Sequence, residues 1–305
     1  ARLGSKSPNF MFAGHVDIVP PGNMKDWTVN PFRPSIKNGH LIGRGANDMK
    51  SSVAAFVSAV STFLSKNKKF NGSISLLITG DEEGDAVNGT KKVVEYLKKR
   101  KERIHFCLVG EPTNPNKLGE MIKIGRRGSI TGKIKIIGEQ CHVAYQHRGN
   151  NPSTTLVQIL KEIKDIKFDK GNKHFQPTNL EVTKINIKND ADNVIPGSAE
   201  ATFNIRFNNR HSSNSIKRRL NKIFKKITKK NKSKFKIDYR VSGEAFLTKP
   251  NKTTFMIQNI IKKITKLKPK LSTTGGTSDL RFIRKISPGL EFGLVGKTMH
   301  KIDEA

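Results

Sequence analysis

The chain has 305 residues, which is enough for about two domains and a substantial hydrophobic core. It contains no apolar stretch of the roughly 18 residues that a membrane-spanning helix needs, and its first residues are not a basic-then-apolar secretion signal, so we expect a soluble protein. Only two cysteines are present, Cys107 and Cys141, which favours reduced thiols in the cytoplasm over a disulfide framework.

The charge is strongly positive, with 57 lysines and arginines against 25 aspartates and glutamates and a formal net charge of +32. A nucleic-acid-binding protein is therefore one alternative. In the most basic stretch, however, Ile216, Leu220, Ile223 and Phe224 recur at helical spacing, so the lysines between them are typical of the solvated face of an amphipathic helix. The chain also lacks the interleaved aromatic and basic residues of a stacking surface. We favour a basic surface without a dedicated nucleic-acid function, which would still attract anionic substrates.

The first part of the chain alternates strands with helices. Apolar runs over residues 10–14, 74–79 and 105–109 predict strands, and helical periodicity over 53–64 and 90–100 predicts the helices between them. Continuous apolar strands separated by helices indicate a mostly parallel sheet with helices on both faces, in which ligands bind beyond the carboxyl ends of the strands. We therefore expect an α/β domain with its site at that edge.

From about residue 128 the pattern changes. Strand, helix, strand, strand, helix and strand are predicted in this order over residues 130–137, 152–166, 180–187, 199–207, 214–230 and 235–241. This order predicts an inserted ferredoxin-like α+β domain. The chain then returns to the first domain with a helix over 257–264, a Gly-rich turn at 275–279 and a last strand over 291–295. We expect the domain segments to be 1–127, 128–241 and 242–305.

Histidines and carboxylates follow the predicted strands of the first domain. They are His15 and Asp17 after the first run, Glu82 and Glu83 after the second, Glu111 after the third, His300 after the last, and Asp48 in a Gly-rich turn. Because the carboxyl ends of parallel strands share one edge of a sheet, these side chains are expected to lie close together. The sequence therefore predicts a two-metal site.

Each of these residues has a plainer interpretation when it is taken alone. A histidine in an apolar context is usually a core residue, adjacent acids usually form a solvated turn, and an acid before a proline usually caps one. Position favours the metal site over these alternatives. In a strand, His15 and Asp17 point to the same side, so that Asp17 could hold one ring nitrogen while the other binds metal.

Histidine and carboxylate ligands without thiolates suit catalytic zinc, and cobalt or manganese could replace it. Two such metals can share one carboxylate and act together on a carbonyl, which predicts hydrolysis of an amide or an ester. Of the adjacent acids Glu82 and Glu83, one can bind metal while the other accepts a proton from the attacking water.

Several segments carry a resemblance to a known family. Gly14–Gly22 (GHVDIVPPG), Gly43–Lys50 (GRGANDMK), Gly80–Gly84 (GDEEG) and Gly110–Thr113 (GEPT) resemble the di-zinc aminoacylase and carboxypeptidase family. Segments at 125–129, 142–147, 193–197, 275–279 and 299–301 are similar to one branch of it. The resemblance implies a zinc-exopeptidase-like catalytic domain, an inserted domain that forms a homodimer, and two zinc ions or substituting cobalt ions. It implies hydrolysis of the N-succinyl amide of LL-2,6-diaminopimelate in lysine and diaminopimelate biosynthesis.

The resemblance also implies a role for each matching position. Asp48 would bridge the metals, His15 and Glu111 would complete one site, and Glu83 and His300 the other. Glu82 would be the general base, Asp17 would orient His15, and His142 of the partner subunit would polarise the scissile carbonyl. The substrate would be bound by Arg126, Tyr145, Asn193, Arg206, Gly276, Thr277 and Ser278. Guanidinium groups suit a substrate with several carboxylates, although Arg206 also fits the exposed side of its strand.

The chain departs from the family at three places. The first motif comes very early and the chain stops soon after His300, so we expect a chain truncated at both ends. Cys141 stands where the family usually has Gly, and it would carry a steric penalty if that backbone needed a positive φ. A related deacylase, such as an acetylornithine deacetylase, and a non-catalytic basic nucleic-acid-binding protein remain the alternative functions.

Overall fold

The computed structural model describes residues 1–305. The chain forms two compact units. The first unit contains Ala1–Gly125, Leu247–Thr273 and Ser278–Ala305, and the second contains Arg126–Phe246 and Thr274–Thr277. None of the helices is both long and apolar enough to cross a bilayer.

A seven-stranded sheet lies at the centre of the first unit. Its strands, in the order in which they lie side by side, are Arg2–Leu3, Ser73–Thr79, Asn9–His15, Phe106–Val109, Gly289–Glu291, Met121–Lys123 and Lys270–Ser272. The pairs on both sides of Asn9–His15 are parallel, as are the pairs of Phe106–Val109 with Gly289–Glu291 and of Met121–Lys123 with Lys270–Ser272. Two pairs are antiparallel, one at the edge strand Arg2–Leu3 and one between Gly289–Glu291 and Met121–Lys123. The mostly parallel α/β sheet expected from the sequence is confirmed.

Helices connect these strands. The first unit has helices at Ser51–Lys66, Thr90–Lys99, Lys252–Thr265 and Leu280–Ile283, a 3-10 turn at Met24–Asp26 and a small hairpin of Ser35–Lys37 with His40–Ile42. The helices expected over 53–64, 90–100 and 257–264 are confirmed. One apolar core of this unit contains Phe106, Ile122, Ile124, Ile261 and Leu290.

The last strand lies earlier than the sequence indicates. It covers Gly289–Glu291, so the expected strand over 291–295 is wrong beyond its first residue. At Gly293 the backbone approaches the chain at Gly110 so closely that a Cβ would lie 2.2 Å from the Gly110 carbonyl oxygen. The side-chain amide of Asn114 donates to the Gly293 carbonyl at 2.7 Å, which replaces a strand partner. Apolar runs that end in Gly therefore overstate strand length here.

The second unit contains a four-stranded antiparallel sheet. Its strands lie side by side in the order Asn179–Asn186, Ser198–Phe207, Gly128–Ile137 and Lys234–Gly243, and its helices are Pro152–Lys164 and Ser213–Lys230. Taken along the chain, this is the β-α-β-β-α-β arrangement of ferredoxin-like domains. Short strands lie at Cys141–His142 and Val194–Ile195, and a 3-10 segment lies at Val143–Arg148. The two-residue strands Gly125–Arg126 and Phe246–Leu247 each include one residue of the first unit.

The lysine-rich helix Ser213–Lys230 is amphipathic, as its spacing predicts. Its buried face contains Ile216, Leu220, Phe224 and Thr228, which follow one another at intervals of four residues, and the first three pack into the core of the second unit. The lysines lie mainly on the opposite, exposed face. The density of positive charge in this stretch is thus explained by helix solvation.

Candidate metal centre

The register of the parallel strands brings the predicted ligands to one edge of the sheet. His15 is the last residue of its strand and lies beside Thr79, while Ala13 lies beside Val109. The turn containing Glu82 and Glu83 follows Thr79, and Glu111 follows Val109, so all three segments leave the sheet at the same edge. This is the edge at which open α/β sheets bind ligands.

Asp48 lies between two histidines. Its Oδ1 is 3.2 Å from Nε2 of His15, and its Oδ2 is 3.2 Å from Nε2 of His300. The turn that carries Asp48 includes Gly45 at φ 81°, a conformation that glycine adopts without a Cβ clash. Asp48 is 5% exposed. Each oxygen of this one carboxylate therefore faces a different histidine.

Two groups of donor atoms share Asp48. One group is His15, Asp48 and Glu111, the other is Asp48, Glu83 and His300, and within each group the donor atoms lie within 4.8 Å of one another. In the second group Nε2 of His300 is 2.9 Å from Oε1 of Glu83. The structure thus brings all five residues that the sequence predicts as metal ligands into two adjoining clusters.

The chemistry of these clusters fits divalent transition metals. Each contains one imidazole and two carboxylates and no thiolate, which is a donor set that suits catalytic zinc with a remaining position for water. A carboxylate with an oxygen in each cluster can be shared by two ions, as in two-metal hydrolases. The arrangement is therefore compatible with the two-metal site that the sequence predicts.

Asp17 contacts His15 mainly through its backbone. Its carbonyl oxygen lies 3.1 Å from Nδ1 of His15, whereas the nearer carboxylate oxygen is 3.4 Å away. The other carboxylate oxygen accepts the backbone N–H of Glu83 at 3.0 Å. Asp17 is therefore placed both to fix the ring of His15 and to hold the turn that carries the paired glutamates.

The charged groups around Glu82 differ from those around Glu83. Its Oε1 lies 3.3 Å from Nη1 of Arg281, and its side chain is 10% exposed. Burial, followed by the negative charges of Glu111 and Asp279, raises the pKa of Glu82 to about 9, because the positive charges of Arg281 and His15 do not offset them. A carboxyl group with this pKa readily holds a proton near neutral pH, which is a property of general acid–base groups.

The histidines are held in their charged form by Asp48. For His300, the hydrogen bond to Asp48 is the largest cause that raises the pKa, which reaches about 9. Burial lowers the pKa of His15, but the hydrogen bond and charge of Asp48 outweigh it and raise the value to about 9. Burial likewise opposes ionisation of Asp48, yet its hydrogen bonds with both histidines lower its pKa to about 2. Without metal, the centre is an alternating network of imidazolium and carboxylate.

Metal binding should therefore release protons. Because His15 and His300 carry protons below about pH 9 and a metal binds only the neutral ring, affinity should rise with pH up to about 9 and then level off. The expected slope is up to about tenfold per pH unit for each displaced proton. Calorimetric titration of metal-free protein in buffers of different ionisation enthalpy counts these protons, and an affinity independent of pH between 6 and 9 would contradict the prediction.

Sequence reasoning missed two residues beside Glu82. Arg281 lies on the short helix Leu280–Ile283 and contacts the carboxylate of Glu82 directly. Asp279 is 5% exposed and accepts a hydrogen bond from the hydroxyl of Thr90 at 2.5 Å. The resemblance gave Gly276, Thr277 and Ser278 of the neighbouring turn a substrate-binding role, but no periodicity distinguished the side chains of Asp279 and Arg281 from solvated ones.

The remaining predicted residues, except Ser278, belong to the second unit. His142 is exposed, and its Nδ1 accepts the backbone N–H of Ala144 at 3.1 Å, while Tyr145 is 50% exposed. Asn193 is exposed, and Nε of Arg206 donates to Asn204 at 3.1 Å. These groups have the exposure that binding residues need.

The Gly-rich turn contains the last of these residues. Arg126 is 7% exposed and donates from Nη1 to the carbonyl of Thr274 at 3.1 Å, so it supports the turn in which Gly276 and Thr277 lie. Ser278 of the first unit is fully buried, and its hydroxyl donates to Glu291.

Cys141 lies in the extended strand Cys141–His142, which pairs with Val194–Ile195. Extended backbone suits any residue, so the steric penalty considered for Cys at this position does not arise. The thiol is free.

The sequence of the chain is similar to that of known proteins. The model of peptidase family M20/M25/M40 matches residues 11–305. A protein of Pelagibacter ubique named succinyl-diaminopimelate desuccinylase is 77% identical over 305 residues, covering 100% of this chain and 79% of its own length. A protein of the same name from Parvibaculum lavamentivorans is 51% identical over 304 residues, covering 100% of this chain and 76% of its own length.

A solved structure has a similar fold. The M20 family metallo-carboxypeptidase of Sulfolobus solfataricus superposes with a TM-score of 0.77 and 18% sequence identity, covering 100% of this chain and 82% of that one. At this level of identity the similarity concerns the fold alone.

Proposed function

The chain belongs to peptidase family M20/M25/M40, and from this premise we propose that it hydrolyses N-succinyl-LL-2,6-diaminopimelate to succinate and LL-2,6-diaminopimelate. The substrate is supported by the 77% identity, along the whole chain, with a protein named for this activity. The reaction class rests on one observation, the carboxylate of Asp48 with one oxygen facing His15 and the other facing His300. Such a reaction would serve lysine and diaminopimelate biosynthesis.

We propose that the centre binds two zinc ions, for which cobalt can substitute. Asp48 would be shared, His15 and Glu111 would complete one site, and Glu83 and His300 the other. The donor groups and their mutual distances support this division. When bound, the ions would supply Lewis-acid activation of the attacking water and of the scissile carbonyl.

Glu82 would move the proton. It would accept a proton from the attacking water and deliver it to the leaving amine, as a general base and then a general acid. Its buried position beside Glu111 and Asp279, which raises its pKa to about 9, supports the second step in particular, because the protonated form persists near neutral pH. Arg281 would hold the carboxylate in place through its 3.3 Å contact.

The substrate would be bound by groups that match its carboxylates. We propose Arg126, Tyr145, Asn193, Arg206, Gly276, Thr277 and Ser278. Arg206 is half-buried on its strand, and a guanidinium held in this way suits a fixed, bidentate contact with a carboxylate. Ser278 is fully buried and donates its hydroxyl to Glu291, so of the three turn residues it is the least accessible to substrate.

We propose that the residues 128–241 form an inserted dimerisation domain between catalytic segments 1–127 and 242–305. The ferredoxin-like unit with its own core supports this division. In a homodimer built through this domain, His142 of the partner subunit would polarise the scissile carbonyl. The free thiols of Cys107 and Cys141 support a cytoplasmic location.

Mixing two inactive variants tests the shared site. A site needs Glu82 from one subunit and His142 from the other, so after exchange of subunits an equimolar mixture of Glu82→Gln and His142→Ala should recover about a quarter of the normal activity. Half of the dimers would then be mixed, with one intact site of two in each. Activity of the mixture that never exceeds the sum of its parts would place His142 outside the partner's site.

A direct assay tests the proposed function. Zinc-loaded protein should turn over succinyl-diaminopimelate with a much higher kcat/KM than acetylornithine, and it should retain two zinc ions after dialysis. A preference for acetylornithine would overturn the proposed substrate. Salt-sensitive binding to duplex DNA without metal uptake would contradict the proposal that the protein is an enzyme and would favour a nucleic-acid-binding function.

A further inference from the structure

Glu304 is a fully buried carboxylate next to the candidate metal centre. Its exposed fraction is 0%, although a glutamate is rarely buried without strong partners. It is not among the predicted metal ligands, and it does not belong to any of the clusters of donor atoms. Its contacts must therefore explain why a charged group lies there.

The contacts of Glu304 go to the turn that carries Asp48. Its Oε1 accepts the backbone N–H of Asn47 at 3.0 Å and that of Asp48 at 2.9 Å. Its backbone carbonyl accepts the N–H of Gly43 at 2.9 Å. The carboxylate thus holds the peptide group of the residue that faces both histidines.

Arg44 contacts the second carboxylate oxygen of Glu304. Its Nη1 lies 2.6 Å from Oε2 of Glu304 and also donates to the carbonyl of Lys301 at 3.1 Å. Its guanidinium stacks on the ring of Trp27, 4.9 Å from the centroid. Because Lys301 follows His300, the pair of Arg44 and Glu304 connects the Asp48 turn with the segment that carries His300.

We propose that Glu304 is a positioning residue, which fixes the backbone of Asp48 so that its two carboxylate oxygens face His15 and His300. This inference rests on the proposed two-metal site. Charge-assisted hydrogen bonds are strong and directional, and an acceptor shared by two successive N–H groups restrains the backbone at Asp48. Groups that orient metal ligands in this way typically change metal affinity by about 10–100-fold when they are replaced.

A matched pair of double variants isolates the acceptor. Removing one partner of a buried ion pair is strongly destabilising, whereas replacing both with neutral groups is often tolerated. The variant Arg44→Met with Glu304→Gln retains an oxygen that reaches Asn47 and Asp48. The variant Arg44→Met with Glu304→Leu lacks that oxygen but removes the same two charges.

Zinc titration of the metal-free proteins gives the readout. We expect the Leu variant to bind at least one zinc about 10–100-fold more weakly than the Gln variant and to show a changed visible absorption spectrum when it is loaded with cobalt. Its kcat should fall more than its KM changes, since no substrate contact is removed. Equal zinc affinities and equal cobalt spectra in the two variants would overturn the inference.

Two further proteins complete the test. Glu304→Asp keeps the charge but shortens the arm, and it should lose zinc affinity to a similar degree, so that retention of normal affinity would also overturn the inference. Asp169→Asn changes a partly buried carboxylate of the second unit, which accepts the N–H groups of Gly171 and Thr178, and should lower stability without changing zinc affinity. If the unsubstituted protein binds fewer than two zinc ions, the proposed two-metal function fails instead.

Discussion

Replacement of Glu82 by Gln should lower kcat by about 10²–10⁴-fold while both metals remain bound. The side chain of Gln has nearly the same shape but cannot accept a proton from water and return it to the leaving amine. Glu82 forms a third group of close donor atoms with His15 and Glu83, but it is outside the two clusters that share Asp48, so its replacement by Gln should leave the donor atoms of those two clusters in place. The substitution thus separates proton transfer from metal binding.

The same substitution should not weaken the fold. Because burial raises the pKa of Glu82 from 4.5 to about 9, ionisation of this group opposes folding increasingly as the pH rises from about 4.5 towards 9. A neutral Gln avoids that penalty, so the melting temperature of the metal-free variant at pH 8 should equal or exceed that of the unsubstituted protein.

Steady-state kinetics, zinc content and thermal melts measure these three expectations. Glu181→Gln, which changes an exposed glutamate paired with Lys164 in the second unit, is a control of the same chemistry and should leave all three unchanged. Near-normal turnover by the Glu82 variant would remove Glu82 as the general base. Loss of zinc would instead show that it acts as a ligand.

The sequence could predict the metal-centre residues that follow strands, because neighbouring parallel strands end at the same edge of a sheet. His15, Glu83 and Glu111 each follow an apolar run, and the carboxyl ends of adjacent parallel strands must meet at one edge. Periodicity alone could not place Asp48 and His300, which lie in loops. Their place after the last apolar run and in a Gly-rich turn made them candidates, and the resemblance to a family gave them their roles as ligands. Their positions in space could not be derived, since loop conformation is set by tertiary contacts such as the one between Asp48 and Glu304.

The residues that sequence reasoning missed share a physical cause. Arg281, Asp279 and Glu304 are charged residues that the fold buries beside partners distant in the chain. From sequence alone, a charged residue in a polar segment is expected to be exposed. Only the fold reveals that Arg281 contacts Glu82, which lies 199 positions away in the chain. A contact between distant residues also explains why the last strand is shorter than expected. The side-chain amide of Asn114 donates to the carbonyl of Gly293, within the apolar run that the sequence predicts as strand.

Replacement of Asp48 by Asn should have the largest effect, with loss of at least one metal and a fall in kcat of at least about a thousandfold. Two such ions, when bound, would together supply several kcal/mol of transition-state stabilisation, and each 1.36 kcal/mol corresponds to about tenfold in rate. Asn offers one neutral oxygen where Asp offers two charged ones, so it cannot serve both clusters. The pKa of both histidines should also fall, because Asp48 is the main partner that raises them, ahead of Glu82 for His15 and Glu83 for His300.

Zinc content after dialysis, zinc affinity and the pH dependence of binding test this prediction, with Asp238→Asn on an exposed strand position as the control. Two zinc ions held with normal affinity by the Asp48 variant would show that the carboxylate between His15 and His300 is not shared. If zinc is lost, the comparison with Glu82→Gln becomes decisive, because one variant then removes the metals and the other only the proton transfer. Glu82 and Asp48 would thereby have distinct, separately measurable roles.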